Sequence, residues 1–143
     1  MMPWGGLFTF VHVVALAGWA MLFLAPRGPR VASYVLYLCV GLLCLAYTVM
    51  FASRFQAIIA GDFLRIEGLK ALFATDAGIV IGWTHYLAFD LFIGQWIAKD
   101  ADHKGFSRIA QLPVLLLTLL AGPIGLLVWL VMRERRARVV ARA

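Results

Sequence analysis

Apolar positions along this chain come in long blocks, not in short alternations. Four nearly unbroken apolar runs cover about residues 5–25, 31–52, 77–98 and 112–132. A helix needs roughly 20 apolar residues to cross about 30 Å of hydrocarbon, so each run predicts a membrane-spanning helix. The first ends at Pro26-Arg27-Gly28-Pro29, a charged, helix-breaking cluster that predicts a tight turn at the membrane surface. Arg54 marks the exit of the second, and the third lies between Asp76 and Lys99-Asp100. The fourth contains Gly122-Pro123 and Gly125, which are expected to kink it or loosen its packing.

Residues 54–75 differ in kind. Phe55, Ile58, Ile59, Phe63, Ile66, Leu69, Leu72 and Phe73 recur at mixed three- and four-residue spacing, with Asp62, Arg65, Glu67 and Lys70 between them. This pattern is amphipathic and too polar to span, and it predicts one or two short helices in the membrane interface or folded over the bundle. The expected fold is therefore all-α and integral to the membrane. It is a bundle of four transmembrane helices with an amphipathic interfacial segment between the second and third. Residues 1–143 form one membrane domain ending in a basic tail, 133–143.

Composition supports this reading. The chain is 64% hydrophobic and 14% charged, against roughly 45–50% and about 25% in soluble domains. A soluble chain of 143 residues has too much surface to hide that much apolar material. The net charge of +6 gathers in the loops and the tail. Beside hydrophobic helices such charge faces anionic lipid, so membrane lipid is the expected partner and nucleic acid is not. Cys39 and Cys44 lie five residues apart, about 140° round a helix, and so read as small buried hydrophobes that share no bond or metal. No Lys or Arg precedes Arg27 and no small-residue cleavage site is evident, so the N-terminal run reads as a first span, not a signal peptide. No organelle transit peptide precedes it, which favours a bacterial source or an already processed chain. With four spans, 8 Lys and Arg lie on the side of the termini and the middle loop and 5 on the other. That count predicts that both termini are cytoplasmic, and for a bacterial source the membrane is the inner one.

Ionisable residues inside a span cost at least about 2.5–3.5 kcal/mol at its centre and ask for a reason. They are His12 in the first run and His85 and Asp90 in the third, with Asp76 at the third run's start. Asp76 has a structural reading as the cap of that helix. Asp90 lies about 21 Å further along the axis, where a carboxylate must be paired, hydrogen-bonded or protonated. An interhelical bond and a proton-transfer role are both open to it. His85 precedes Asp90 by five residues, about 140° round the helix, so the two make no same-face dyad unless this helix is enclosed on most sides. A lone histidine on an apolar helix, His85 or His12, is most often a satisfied structural donor. With His103 in a loop, the histidines match no metal-ligand spacing, and no metal or cofactor is expected.

Trp83, Tyr86, Asp90 and Ile97 share one broad face of the third helix, and His85, Phe89, Phe92 and Trp96 another. Such aromatic faces usually meet lipid or pack, and they can also line a groove for a flat, conjugated apolar ligand. Gly82, Gly94, Gly122 and Gly125 let helices approach closely or leave room for one. A nucleophile elbow, a glycine-rich phosphate loop, a paired-cysteine motif and HExxH are all missing, which argues against common hydrolases, nucleotide enzymes and zincins.

The stretch Gly82-Trp83-Thr84-His85-Tyr86-Leu87-Ala88-Phe89-Asp90-Leu91-Phe92-Ile93-Gly94 resembles the signature of the abscisic-acid-deficient-4 family. The resemblance continues through Trp96, Asp100 and Ala121-Gly122-Pro123-Ile124-Gly125, takes in residues 63–73, and so covers about the last two-thirds of the chain. Plant members of that family are needed to make neoxanthin from violaxanthin. The resemblance implies a multi-pass membrane protein acting on a carotenoid or other membrane isoprenoid, an epoxide-to-allene isomerase without a redox cofactor. That reaction needs an acid for the epoxide oxygen and a base for the neighbouring polyene carbon. The matching motif offers Asp90 as base and His85 as acid, with Asp76 able to replace either. Trp83, Tyr86, Phe89, Trp96 and His12 are the expected substrate-binding residues. Most bacteria make no violaxanthin, so another carotenoid, another isoprenoid or an unrelated substrate is open. The alternative is a non-enzymatic pigment-, quinone- or lipid-binding or assembly protein, and a small transporter ranks below both. Homo-oligomerisation is open.

Overall fold

The computed structural model describes residues 3–140, with side chains to residue 135. Arg142 of the basic tail lies outside the described residues, as do the side chains of Arg136 and Arg138. The described chain is helical throughout, with no strand. Its helices are α1 (Trp4–Leu24), α2 (Pro29–Ser53), α3 (Phe55–Ile59), α4 (Ile66–Phe73), α5 (Asp76–His103), α6 (Arg108–Leu120) and α7 (Gly122–Val140). Within α2, Tyr34–Val40 widens into a π-helical stretch.

Among the described residues, three helices are long and apolar enough to cross a membrane: α1, α2 and α5, of 21, 25 and 28 residues. Half of an 18-residue apolar stretch of α5 is buried inside the bundle, against 28% for α1 and α2. The third predicted span is therefore the central helix, and the other two wrap it with outer faces that present Phe10, Leu16, Tyr37 and Leu45 outward. Helices in lipid gain little from apolar burial against each other and associate by close packing, which small residues permit. Here a Cβ on Gly94 would run into the Trp19 ring, and one on Gly18 would run into Leu91 and Cys39. Those two glycines let α1 lie directly on α5.

The fourth predicted span is not one helix. The chain is helical to Leu120, leaves helical geometry at Ala121 (φ −154°, ψ 72°), and is helical again from Gly122. Ala121 accepts from Ile124 and Gly125 N–H (2.9 and 3.1 Å) while its own N–H donates to Leu117 (2.8 Å), so this single residue ends one helix and starts the next. The two helices run antiparallel. Trp129 of α7 packs edge-on against Phe106, just before α6, with ring centroids 5.1 Å apart. At the other end a Cβ on Gly125 would overlap the backbone of Thr118. The predicted kink is thus a complete reversal. At 13 residues, α6 extends only about 20 Å, short of the roughly 30 Å hydrocarbon core. The expectation of four spans becomes three potential spans and a short helical hairpin.

This reversal changes which groups share an end of the bundle. The hairpin base lies with the α1–α2 turn and the C-terminus of α5. There Arg27 pairs with Asp102 (3.4 Å) and donates to Gln111 (3.1 Å), and Gln111 donates to Asp102 (2.8 Å). Burial pulls the Arg27 pKa below its ordinary value and the Asp102 charge opposes that shift. Arg108 donates to the last carbonyls of α1, those of Phe23 and Ala25 (3.3 and 2.7 Å). Asp100 receives Trp129 (3.1 Å) and pairs with Arg133 (2.9 Å), which holds the C-terminal half of α7 at this same end. Trp4 and the 54–75 segment lie at the opposite end. The N-terminus of α1 and the far end of α7 therefore sit at opposite ends of the bundle. The physical reason is that a hairpin returns the chain to the face it came from.

The amphipathic segment forms as its pattern predicts, as α3 and α4 joined by a turn. Gly78 has Leu72 backbone where a Cβ would stand, so α4 crosses hard against the first turn of α5, with the Phe73 ring over Gly82.

Candidate functional site

Two groups of polar residues sit on different faces of α5. The larger space is a cavity of about 1100 Å³ at the bundle end that carries Trp4 and the amphipathic helices. Its walls are α2 (Tyr47, Phe51), α3 and α4 with their connecting turn, and the N-terminal half of α5 from Asp76 to His85. Most of that lining is apolar, and the cavity exceeds the roughly 300–1,000 Å³ usual for small-ligand sites. The guanidinium of Arg54 lies 5.4 Å from the Trp4 ring at its rim.

Asp76 and His85 both line this cavity. Asp76 is not the helix cap. Thr75 takes that place, its hydroxyl accepting from Gly78 N–H (3.0 Å), which leaves the Asp76 carboxylate exposed at the cavity. The two residues are nine positions apart, about 13.5 Å along the axis, too far to act on adjacent atoms. His85 has a nearer neighbour that sequence reasoning missed: Tyr47 of α2, with ring centroids 5.6 Å apart. Phe89 packs on its other side at 4.6 Å. Nothing in the apolar run of α2 singles out Tyr47; only the crossing of α2 over α5 brings it to His85.

Asp90 does not line the cavity. It is 9% exposed, with one carboxylate oxygen, Oδ2, lacking a hydrogen-bond partner among the described residues. The tip of the α6–α7 hairpin presses on it, since a Cβ on Gly122 would overlap its carboxyl group. Tyr86, one turn earlier, brings its hydroxyl to the Asp90 carboxyl and to the Leu120 carbonyl (3.4 Å), both at the hairpin tip. Trp83 stacks on Tyr86 (5.1 Å) and donates to His12 Nε2 (2.8 Å). Since Nε2 accepts that bond, the proton of His12 sits on Nδ1, which donates to the Phe8 carbonyl (2.8 Å). His12 therefore acts as the satisfied structural donor that its apolar setting suggests.

Of the expected site residues, the structure thus brings Asp76 and His85 to one cavity and gathers His12, Trp83, Tyr86 and Asp90 on another face. Phe89 touches His85, while Trp96 lies further along α5 under the Arg133 guanidinium (5.5 Å), away from the cavity that Asp76 and His85 line. No group of His, Cys, Asp and Glu able to hold a metal forms among the described residues.

A central apolar helix wrapped by two others, with a short hairpin and an amphipathic flap, is the architecture of a small polytopic membrane protein. Within that class the chain belongs to the ABA DEFICIENT 4-like family, whose model matches residues 6–129 of the 143. No curated protein and no solved structure matches it.

Proposed function

We propose that this protein is a membrane isomerase that takes a carotenoid or other long isoprenoid into the 1100 Å³ cavity and moves a proton with His85. The observation that carries the reading is the cavity itself: large, mostly apolar, and provided with one histidine and one tyrosine side by side. In the epoxide-to-allene reaction the epoxide oxygen takes up a proton and its C–O bond opens. The neighbouring polyene carbon loses a proton, and the electrons of that C–H bond form the second double bond of the allene. One proton enters and one leaves, so no redox partner is needed. Tyr47 is placed to give the proton and His85 to take the other, and exchange between the two resets them. The 13.5 Å offset, estimated from about 1.5 Å per residue, removes Asp76 from that pair. Its position suits the polar end of a ligand.

The orientation that fits this reading follows from the hairpin. Among the described residues, Arg27, Arg30, Lys99, Lys104, Arg108, Arg133 and Arg135 lie at the hairpin-base end, and Arg54, Arg65 and Lys70 at the cavity end. Seven against three supports a hairpin base on the cytoplasmic side, which in a bacterial source is that of the inner membrane. The cavity then opens towards the other leaflet.

The test is expression in cells that accumulate an epoxy-carotenoid, with pigment analysis by chromatography. A new isomeric pigment that disappears in His85→Gln, with the protein still folded, is the expected result. Pigment bound without turnover would replace the isomerase by a binding protein in the same cavity. Unchanged pigment with no binding would end both readings.

A further inference from the structure

A second cavity, of about 600 Å³, lies at the hairpin-base end, between the end of α1, the first two turns of α2 and the C-terminal part of α5. Arg27, Lys99 and His103 line it, with Asp102 as its acidic group. Asp102 is already engaged by Arg27 and Gln111, so the positive side chains are in excess. Its apolar wall includes Leu36 and Tyr37, which belong to the π-helical stretch of α2. Such stretches are rare and concentrate at functional sites.

Two buried polar atoms beside this cavity lack partners among the described residues. Gln95 is 4% exposed, and its amide nitrogen donates to the Ala32 carbonyl (2.6 Å), but its Oε1 accepts nothing. The Nε of Arg27 donates to nothing, although both terminal nitrogens of that side chain are used. Oε1 can only accept and Nε can only donate. A ligand with a hydroxyl to donate and an oxygen to accept answers both. The positive charge supplied by Lys99 and His103 favours a phosphate for the latter.

We propose that this cleft binds a phosphate ester bearing a free hydroxyl, the chemistry of a phosphatidylglycerol headgroup. The position agrees with that source. The cleft stands where the apolar spans give way to charged turns, so acyl chains can lie along Met21, Leu22 and Leu36 while the headgroup meets Arg27 and Lys99. It is separate from the cavity that holds His85, and nothing in it depends on the isomerase reading.

Lipid retention on the intact protein tests the proposal, read by native mass spectrometry after titration with phosphatidylglycerol, phosphatidylcholine or glycerol 3-phosphate. Wild type should retain phosphatidylglycerol well above phosphatidylcholine. Lys99→Gln, on an exposed side chain, should weaken that retention about fivefold, the usual weight of one lysine at an anionic surface. Gln95→Leu should weaken it as well, with its melting temperature as the control for folding. Saturable glycerol 3-phosphate binding with the same dependence on Lys99 would make the source a soluble ester in the same cleft. Equal retention of the two lipids with no glycerol 3-phosphate binding, or retention indifferent to both substitutions, would overturn the proposal.

Discussion

Gly122→Ala tests the least expected part of the fold, the reversal at Ala121. A methyl group there would stand 2.7 Å from Asp90 Cγ and 2.9 Å from Oδ2, with Oδ1 nearer still. Ordinary contacts of that kind need 3.4 Å or more. Asp90 is only 9% exposed and Tyr86 is engaged with its carboxyl, so the group has little room to swing away. Relief must come from backing the hairpin tip off α5, which loosens Gly125 from Thr118 and Tyr86 from Leu120. Overpacking of this sort costs about 1–3 kcal/mol, and the absence of a flexible neighbour puts this site near 2 kcal/mol. Asp90→Ala in the same background removes the clashing atoms. The two substitutions should therefore couple, with the double variant more stable than the sum of the singles by about 1 kcal/mol or more. Thermal unfolding of the detergent-solubilised protein, followed by tryptophan fluorescence, reads both effects. A Gly122→Ala protein within about 0.5 kcal/mol of wild type, or strictly additive effects, would refute the packing of the hairpin tip on Asp90.

Other predictions follow from the same geometry. Tyr47→Phe and His85→Gln should each lower isomerase turnover by about 100-fold or more while leaving ligand retention intact. Asp90→Asn should keep turnover within a few-fold, because Asp90 faces the hairpin and not the cavity; loss of turnover in a folded Asp90→Asn protein would return Asp90 to the mechanism. In a background lacking Cys39 and Cys44, a membrane-impermeant thiol reagent applied outside intact cells should label Leu64→Cys and not Glu134→Cys. Labelling of both from outside, or of Glu134→Cys alone, would contradict the assigned orientation. Arg27→Gln should destabilise by about 1–2 kcal/mol, since it strips Asp102 of its ion pair and Gln111 of a donor at once; a melting temperature equal to wild type would show that the network contributes nothing.

Much of the molecule was legible in its apolar pattern. Three apolar runs became helices long and apolar enough to cross a membrane, and residues 54–75 folded into two short helices as their spacing predicts. The motif around His85 and Asp90 pointed to the family that the match over residues 6–129 bears out. These features are local: length, hydropathy and helical period are properties of a segment, whatever it packs against. The fourth run shows where that stops. Twenty-odd apolar residues suit a straight span and a folded hairpin equally, and Gly122-Pro123 says only that the helix is weak there. The choice is made at a distance, by Gly122 fitting under the Asp90 carboxyl, Gly125 against Thr118, and Trp129 and Arg133 returning to Asp100.

The same division runs through the site. Which helix carries the ionisable groups is plain from the residues alone, because a charge in an apolar run stands out against its neighbours. It could not say which of them meet. His85 and Asp90 lie on different faces of α5 as the helical period requires, yet only the packing of α2 gives His85 its tyrosine and only the hairpin closes over Asp90. The partners come from the packing, because each is set by the crossing of helices from separate parts of the chain, and no residue in α2 or the hairpin records locally which face of α5 it will touch.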